Sequence, residues 1–234
     1  MIVLKKNFIN TTELIKGILI IFLYFFIASI ISIPFSFLLE KNIISYSTAN
    51  LLLYLFISIF FSLIYIKDLI KDFKSFKKDY KNILKITLSF WIKGLFIMLF
   101  SSLLINLFSI DINANQAANI NQLKEMPFVE IICAVIFAPI IEELVFRRGL
   151  KNFTSNKHLY ALSSGIIFGF LHVISSLSGI NSLIMLVYLI PYSALGIAFA
   201  YAYKKTDNIY GVILIHGLHN AISLLEIIIL GGLL

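Results

Sequence analysis

Charge is scarce in this chain, and cysteine is nearly absent. Of its 234 residues, 13% are charged and 60% are hydrophobic, whereas soluble domains average about 25% charged and about 45–50% apolar. A mean hydropathy of +0.97 excludes an ordinary soluble globular protein. The single cysteine, Cys133, excludes a disulfide framework and a cysteine-based zinc cluster, and in its apolar setting it reads as a small hydrophobe. A His-Glu-x-x-His helix is missing, so the common zinc-protease motif does not apply. Serine, histidine and aspartate are not placed together as a serine hydrolase needs. No internal repeat supports an inverted-repeat transporter.

What the chain has instead is apolar runs of membrane-spanning length, about 20 residues each. Seven segments qualify: 15–39, 48–66, 86–108, 128–146, 159–174, 182–203 and 208–230. The first is too long for a signal-peptide core and lacks a small-residue cleavage site, so it is expected to remain as a span. The net charge of +7 does not point to nucleic acid, because the lysines and arginines gather in loops as topology signals do. All of them except Lys41, Lys93 and Lys124 fall before span one or at its first residues (Lys16), or after spans two, four and six. Lys93 lies near the basic end of the third span, where it can snorkel. Seven crossings with a cytoplasmic N-terminus satisfy the positive-inside rule at every loop. The expected fold class is therefore an all-α polytopic protein of about seven transmembrane helices, multi-pass in the cell membrane, with membrane lipid as its surroundings.

The lysine-rich segment 67–85, with Asp68, Asp72 and Asp79 interleaved, reads as a solvated amphipathic helix near anionic headgroups. Segment 109–126 reads as a polar, weakly patterned outer loop, and Pro127 suits the first turn of the fourth span. The chain divides into residues 1–124, the N-terminal spans with the basic cytoplasmic segment, and residues 125–234, a core holding the last four spans.

Few residues in those last four spans are both polar and deep: Glu142, Glu143, Arg147, His172, His216, His219 and Asn220. A charge at bilayer depth costs at least about 2.5 kcal/mol, and such residues mark function by default. Glu143 and Arg147 are four apart and share a helix face, so they are expected to pair and leave Glu142 free to face elsewhere. Phe168 and His172 share a face of the fifth span, as His216 and Asn220 share one of the seventh. Gly165 and Gly169 allow a close helix approach, which puts His172 in a tight interface. Pro139 removes an N–H and is expected to disturb the carbonyl of Val135, loosening the helix three residues before Glu142.

His172 lies deeper than its partners, roughly 20 Å from Leu159 against roughly 12 Å for His216 from the start of its span. Tilt, a sunken start to the fifth helix, or a fourth span running past Arg147 would each account for the difference. His219 is adjacent to the site face, and Glu226 lies far along the seventh span, outside the site. A lone histidine in a span is usually a packing residue, and an isolated Glu–Arg pair is usually an anchor. Three helices that together supply Glu, His, and His with Asn fit a polar active site between the last four helices better than packing.

A glutamate in an apolar pocket suits a general base. A histidine can position water or protonate a leaving amine, and an asparagine can donate to a developing oxyanion. Two histidines and a glutamate can also hold zinc with an open position. Amide hydrolysis uses these parts best. The rival readings are a transporter binding a cation or proton through the same residues and a non-catalytic immunity or scaffold protein.

The ordered set Glu142-Glu143-x-x-x-Arg147, Phe168-x-x-x-His172 and His216-x-x-x-Asn220 resembles the signature of the CaaX-type (CPBP) intramembrane endopeptidases, over roughly residues 125–230. Bacterial members of that family include bacteriocin-processing and self-immunity proteins. The resemblance implies a peptidase acting on a peptide or protein substrate, with Glu142 activating water and His172 and His216 as catalytic histidines. It implies Asn220 in the oxyanion hole, with Glu143, Arg147 and Phe168 supporting. Both a metalloprotease and a metal-free mechanism are argued for the family. A metal, if used, would be zinc on His172 and His216; metal-free water activation is favoured, since only two histidines match the motif. Nothing indicates a prenylated substrate.

Overall fold

A computed structural model of the protein describes residues 9–108, 114–174 and 184–230. Among the described residues the fold is all-α, with no β pairing beyond one isolated bridge between Ile9 and Thr154. Side-chain caps set several helix starts. Asn10 opens α1 (Thr11–Glu40) by accepting from the Glu13 backbone N–H at 3.2 Å. Ser45 opens α2 (Tyr46–Ile64) by accepting from Thr48 at 3.1 Å. Each satisfies a donor that the first helical turn leaves without a partner.

Helix α3 (Ile66–Leu107) joins the basic segment and the third span into 42 residues, interrupted by non-helical backbone at Asp79. The basic segment is thus helical, as its pattern suggests, and bends away from the span at that residue. Segment 109–126 departs from the expected loop. Ala114–Glu125 forms α4, while residues 109–113 lie outside the described residues. Its alanines and glutamines, with Leu123, Lys124 and Glu125, are good helix formers, which a hydrophobic-pattern argument does not register.

The fourth span is a rod from Pro127 to Arg148 whose hydrogen-bond register changes three times. Helix α5 (Pro127–Ile132) gives way to a π turn (Cys133–Phe137), then α6 (Ala138–Glu142), then a second π turn (Glu143–Arg148). Pro127 occupies the first turn, as expected. Helix α7 (Lys157–Val173) starts at an Asn156 cap. The described part of the sixth span opens as a 3₁₀ turn (Ile184–Tyr188) leading into α8 (Leu189–Thr206), and residues 182–183 of the expected span lie outside the described residues. Pro191 in the first turn of α8 suits a helix start rather than an interior. Asp207, left-handed at φ 52°, then turns the chain into α9 (Ile209–Leu230).

Five helices are long and apolar enough to cross a membrane by length and composition: α1, α2, α3, Leu186–Thr206 and Ile209–Ile229. The register changes keep 127–148 out of that set, and α7 has 17 residues. The chain is a polytopic membrane protein. Large apolar side chains such as Phe22, Phe96, Leu107 and Phe128 are exposed on its outside, a surface suited to lipid rather than water.

Helix α8 is the centre of the packing, against α7 on one side and α3 on another. Glycines make this possible. A Cβ on Gly165 would fall 2.8 Å from the Cα of Ile197, and one on Gly196 would fall 2.9 Å from the Cα of Gly165. At the basic end, Asp72 of α3 accepts from the Ile209 backbone N–H at 3.2 Å, and Asn208 donates to the Asp72 carbonyl at 2.7 Å. A carboxylate is favourable at the start of α9. Arg148 ties the end of the 127–148 rod to the same corner through an ion pair with Asp68 and a 2.7 Å hydrogen bond to the Tyr203 hydroxyl.

Candidate active site

The π turns decide where the acids point. In a π turn the backbone bonds reach one residue further than in an α-helix: Ala138 donates to Cys133, and Gly149 to Leu144 at 3.0 Å. Pro139 has no N–H to continue the first of these turns. In that register its missing partner is the carbonyl of Ala134, not of Val135 as α-helical counting suggests. Asn220 of α9 takes the vacant place, donating from Nδ2 to the Ala134 oxygen at 2.8 Å. The Val135 oxygen instead faces Gly217, where a Cβ would come within 2.6 Å. At the rod's other end, Ser164 and Tyr160 of α7 donate their hydroxyls to the carbonyls of Phe146 and Arg147, both at 2.9 Å.

These last two bonds account for the depth of His172. Helix α7 starts alongside the end of the rod and runs antiparallel to it, so its first turns do not begin at the far boundary of the fourth span. From Ser164 to His172 is about 12 Å and from Phe146 back to Glu142 about 6 Å in the same direction. About one helical turn of difference remains.

The expected ion pair is present. Arg147 Nε lies 3.1 Å from Glu143 Oε2, and both side chains are fully buried. The contact is one of charge, since among the described residues neither atom has a hydrogen-bond partner, and the terminal guanidinium nitrogens have none there either. The guanidinium rests over the Phe168 ring, 4.5 Å from its centroid. Phe168 in turn packs against His172 and His216, with ring centroids 4.3 and 5.9 Å apart.

Glu143 has a second partner that helical spacing does not reveal. Its Oε1 lies 2.8 Å from Nδ1 of His216. A carboxylate only accepts, so Nδ1 carries a proton and donates it to Glu143. The other ring nitrogen, Nε2, faces Glu142 Oε2 at 3.6 Å, too far for a direct hydrogen bond and suited to one small molecule between them. His172 is fixed in a similar way: Nδ1 lies 2.9 Å from the Phe168 carbonyl, and the ring stacks on Tyr192 at 5.0 Å. A carbonyl only accepts, so Nδ1 is the donor and Nε2 is not used in that bond.

Glu142, His172, His216 and Asn220 all line one cavity of about 540 Å³, with Phe168 and His219 also on its wall. Glu143 and Arg147 stand behind that wall. His219 packs edge-on against Trp91. Glu226, expected outside the site, lines the same cavity, and so do Tyr54, Tyr192 and Glu130, which the motif spacing does not pick out. Glu130 carried a sequence signal of its own, as the one acid in the apolar run leading to the motif.

A catalytic zinc requires three protein ligands and an open position. Glu142 Oε2 and His216 Nε2 are close enough to share an ion, but among the described residues no three His, Cys, Asp or Glu side chains gather to hold one. Glu143 is committed to His216 Nδ1 and Arg147. The donor set does not fit a closed three-ligand site, and no step below is routed through a metal.

Residues 124–222 match the family described as type II CAAX prenyl endopeptidase Rce1-like. That match agrees with the resemblance of the three motifs to the CPBP family. A protein of Bacillus subtilis (strain 168) named "Putative membrane peptidase YdiL" is 27% identical over 156 residues, covering 63% of this chain and 59% of that protein. The aligned part thus spans little more than half of the relative's length. No solved structure matches the chain. The matched region holds Glu142, Glu143, Arg147, Phe168, His172, His216 and Asn220.

Proposed function

We propose that this CPBP-type chain is an intramembrane endopeptidase of the cell membrane in which Glu142 activates a water molecule against a peptide bond. The observation that supports the reading is Glu142 Oε2 and His216 Nε2 facing each other at 3.6 Å on the cavity wall, which, with His216 neutral in its Nδ1–H form, gives two acceptors. A water between them donates one proton to each acceptor, leaving an oxygen lone pair directed at a substrate carbonyl. Glu142 takes a proton as the oxygen attacks. The negative charge then forms on the carbonyl oxygen. Asn220 uses one amide hydrogen on Ala134 and keeps the second for that oxyanion. The proton held by Glu142 passes to the leaving amine, directly or through His216, and the C–N bond breaks. His172, with Nε2 free, positions the substrate or the leaving group.

Glu143 and Arg147 act behind the reacting atoms. Glu143 holds the His216 tautomer, and Arg147 balances the charge of Glu143 in a site that excludes water. The biological setting that suits a small bacterial-type member is maturation of a secreted peptide or self-immunity to a bacteriocin.

The deciding experiment is cleavage of membrane-proximal peptides by purified wild type and Glu142→Gln, each with and without a chelator. The expected result is a loss of at least about a thousandfold in Glu142→Gln and a wild-type rate indifferent to the chelator. Cleavage by Glu142→Gln at the wild-type rate would overturn the assignment of the base. A transporter reading instead requires ion or proton flux without cleavage. A scaffold reading requires Glu142→Ala and His172→Ala to keep the cellular phenotype.

A further inference from the structure

The cavity continues well past the reacting groups, and its far part carries charge of one sign. Glu130 on α5 is 4% exposed, lines the cavity, and has no hydrogen bond or ion pair among the described residues. Glu226 of α9 and the amides of Asn119 and Asn106 line the same cavity. Three carboxylates, Glu130, Glu142 and Glu226, face this space, yet among the described lining residues there is no lysine or arginine. A buried acid without a partner is costly, and in a binding cavity such a group is a reserved place for a ligand of opposite charge.

We infer that Glu130, assisted by Glu226, is a specificity subsite that receives a cationic side chain, lysine or arginine, of the peptide substrate. The inference rests on the endopeptidase reading and adds a substrate class to it. Its position along the peptide follows from the geometry. Glu130 and Glu142 lie 12 residues apart on one rod, about 18 Å along its axis. An extended peptide advances about 3.3 Å per residue, so the cation sits about five residues from the scissile bond. Glu130 belongs to the end of the rod near α4, so the basic residue points away from the Arg148 corner.

The test uses the full-length protein in detergent and two series of peptides. In one, a single lysine is moved along the peptide from six residues before the scissile bond to six after it; in the other, uncharged norleucine replaces that lysine. In wild type, the ratio of kcat/KM for lysine over norleucine should peak at about tenfold or more at one position, about five residues from the cut. In Glu130→Gln the ratio at that position should fall to about one. The ratio is taken within each variant, so the amount of folded protein does not affect it. A flat profile in wild type, or a Glu130→Gln ratio equal to wild type, overturns the inference. If wild type cleaves neither series, the endopeptidase reading fails instead. The subsite is then judged by binding of the same fluorescent peptides, where loss of lysine preference in Glu130→Gln supports it and an unchanged preference overturns it.

Discussion

Glu143 Oε1 accepts a hydrogen bond from His216 Nδ1 at 2.8 Å, between two side chains that are both buried. The bond joins residues 73 positions apart and makes Glu143, the acid already paired with Arg147, the group that fixes the orientation of the histidine. Glu142 is thereby left as the acid that faces the cavity. The two neighbouring acids are separated into a support and a base by what lies behind each of them.

Removing the charge of Glu143 should affect activity and stability in separable ways. Glu143→Gln presents His216 with an amide and disturbs its tautomer, so cleavage should fall on the order of 10²- to 10⁴-fold. It also leaves the Arg147 guanidinium buried without a counter-charge, at a cost of about 3–5 kcal/mol. The double variant Glu143→Gln/Arg147→Met should regain thermal stability in detergent without regaining activity. Recovery of activity in the double variant would show that Glu143 serves only to neutralise Arg147.

Asn220 and Pro139 should be energetically coupled through the Ala134 carbonyl. Asn220→Leu leaves that oxygen unpaired, a loss of about 1–3 kcal/mol. Pro139→Ala restores a backbone N–H one π-register step away, so Asn220→Leu should cost less in its presence. A double-mutant cycle on thermal unfolding in detergent measures the coupling. Additive effects would mean that the carbonyl does not depend on the missing proline donor.

Gly165→Ala should destabilise the protein although alanine is the better helix former by about 1 kcal/mol. The added Cβ meets the backbone of Ile197, with its Cα at 2.8 Å, and a backbone cannot rotate away. Separating α7 from α8 should cost about 1–3 kcal/mol and displace His172 from the cavity wall. Lower thermal stability together with reduced cleavage is the expected outcome, read by unfolding and by peptide assay.

Burial pushes the Asp72 carboxyl above an aspartate's ordinary 3.8, against the opposing effects of the Ile209 N–H and the Arg148 charge. A pKa raised in the folded state means that the folded protein binds the proton more tightly than the unfolded chain. The stability linked to that proton is complete below the unfolded value and is lost as pH rises through the folded one. Wild type should therefore lose stability on going from about pH 4 upward relative to Asp72→Asn, which has no such proton. Melting temperatures of both across pH 4 to 8 provide the check; parallel curves would sink it.

Much of the helical layout was legible in advance because it follows from local rules. Apolar length marked the membrane segments, Pro127 marked the start of the rod, and the four-residue step from Glu143 to Arg147 foretold their pair. The misses were also physical. The polar segment 114–125 became helical because propensity acts without an apolar stripe. The carbonyl left open by Pro139 was displaced by one residue, from Val135 to Ala134, because the rod runs in π register there, a state with no residue pattern of its own. Glu226, expected away from the reacting groups, lines the far part of the same cavity, which distance along α9 alone does not reveal.

The sequence by itself determined that this chain belongs in a membrane and that few of its buried groups are charged. It also determined which of those groups share a helix face, because hydropathy and helical periodicity are properties of neighbouring residues. Tertiary structure decided which acid holds a histidine and which faces the cavity, and it decided that Glu130 lines the same space as Glu142. Those relations cross between helices, where spacing along the chain carries no distance. They are set by glycine-mediated approach of α7 to α8 and by the need of each buried charge for a partner.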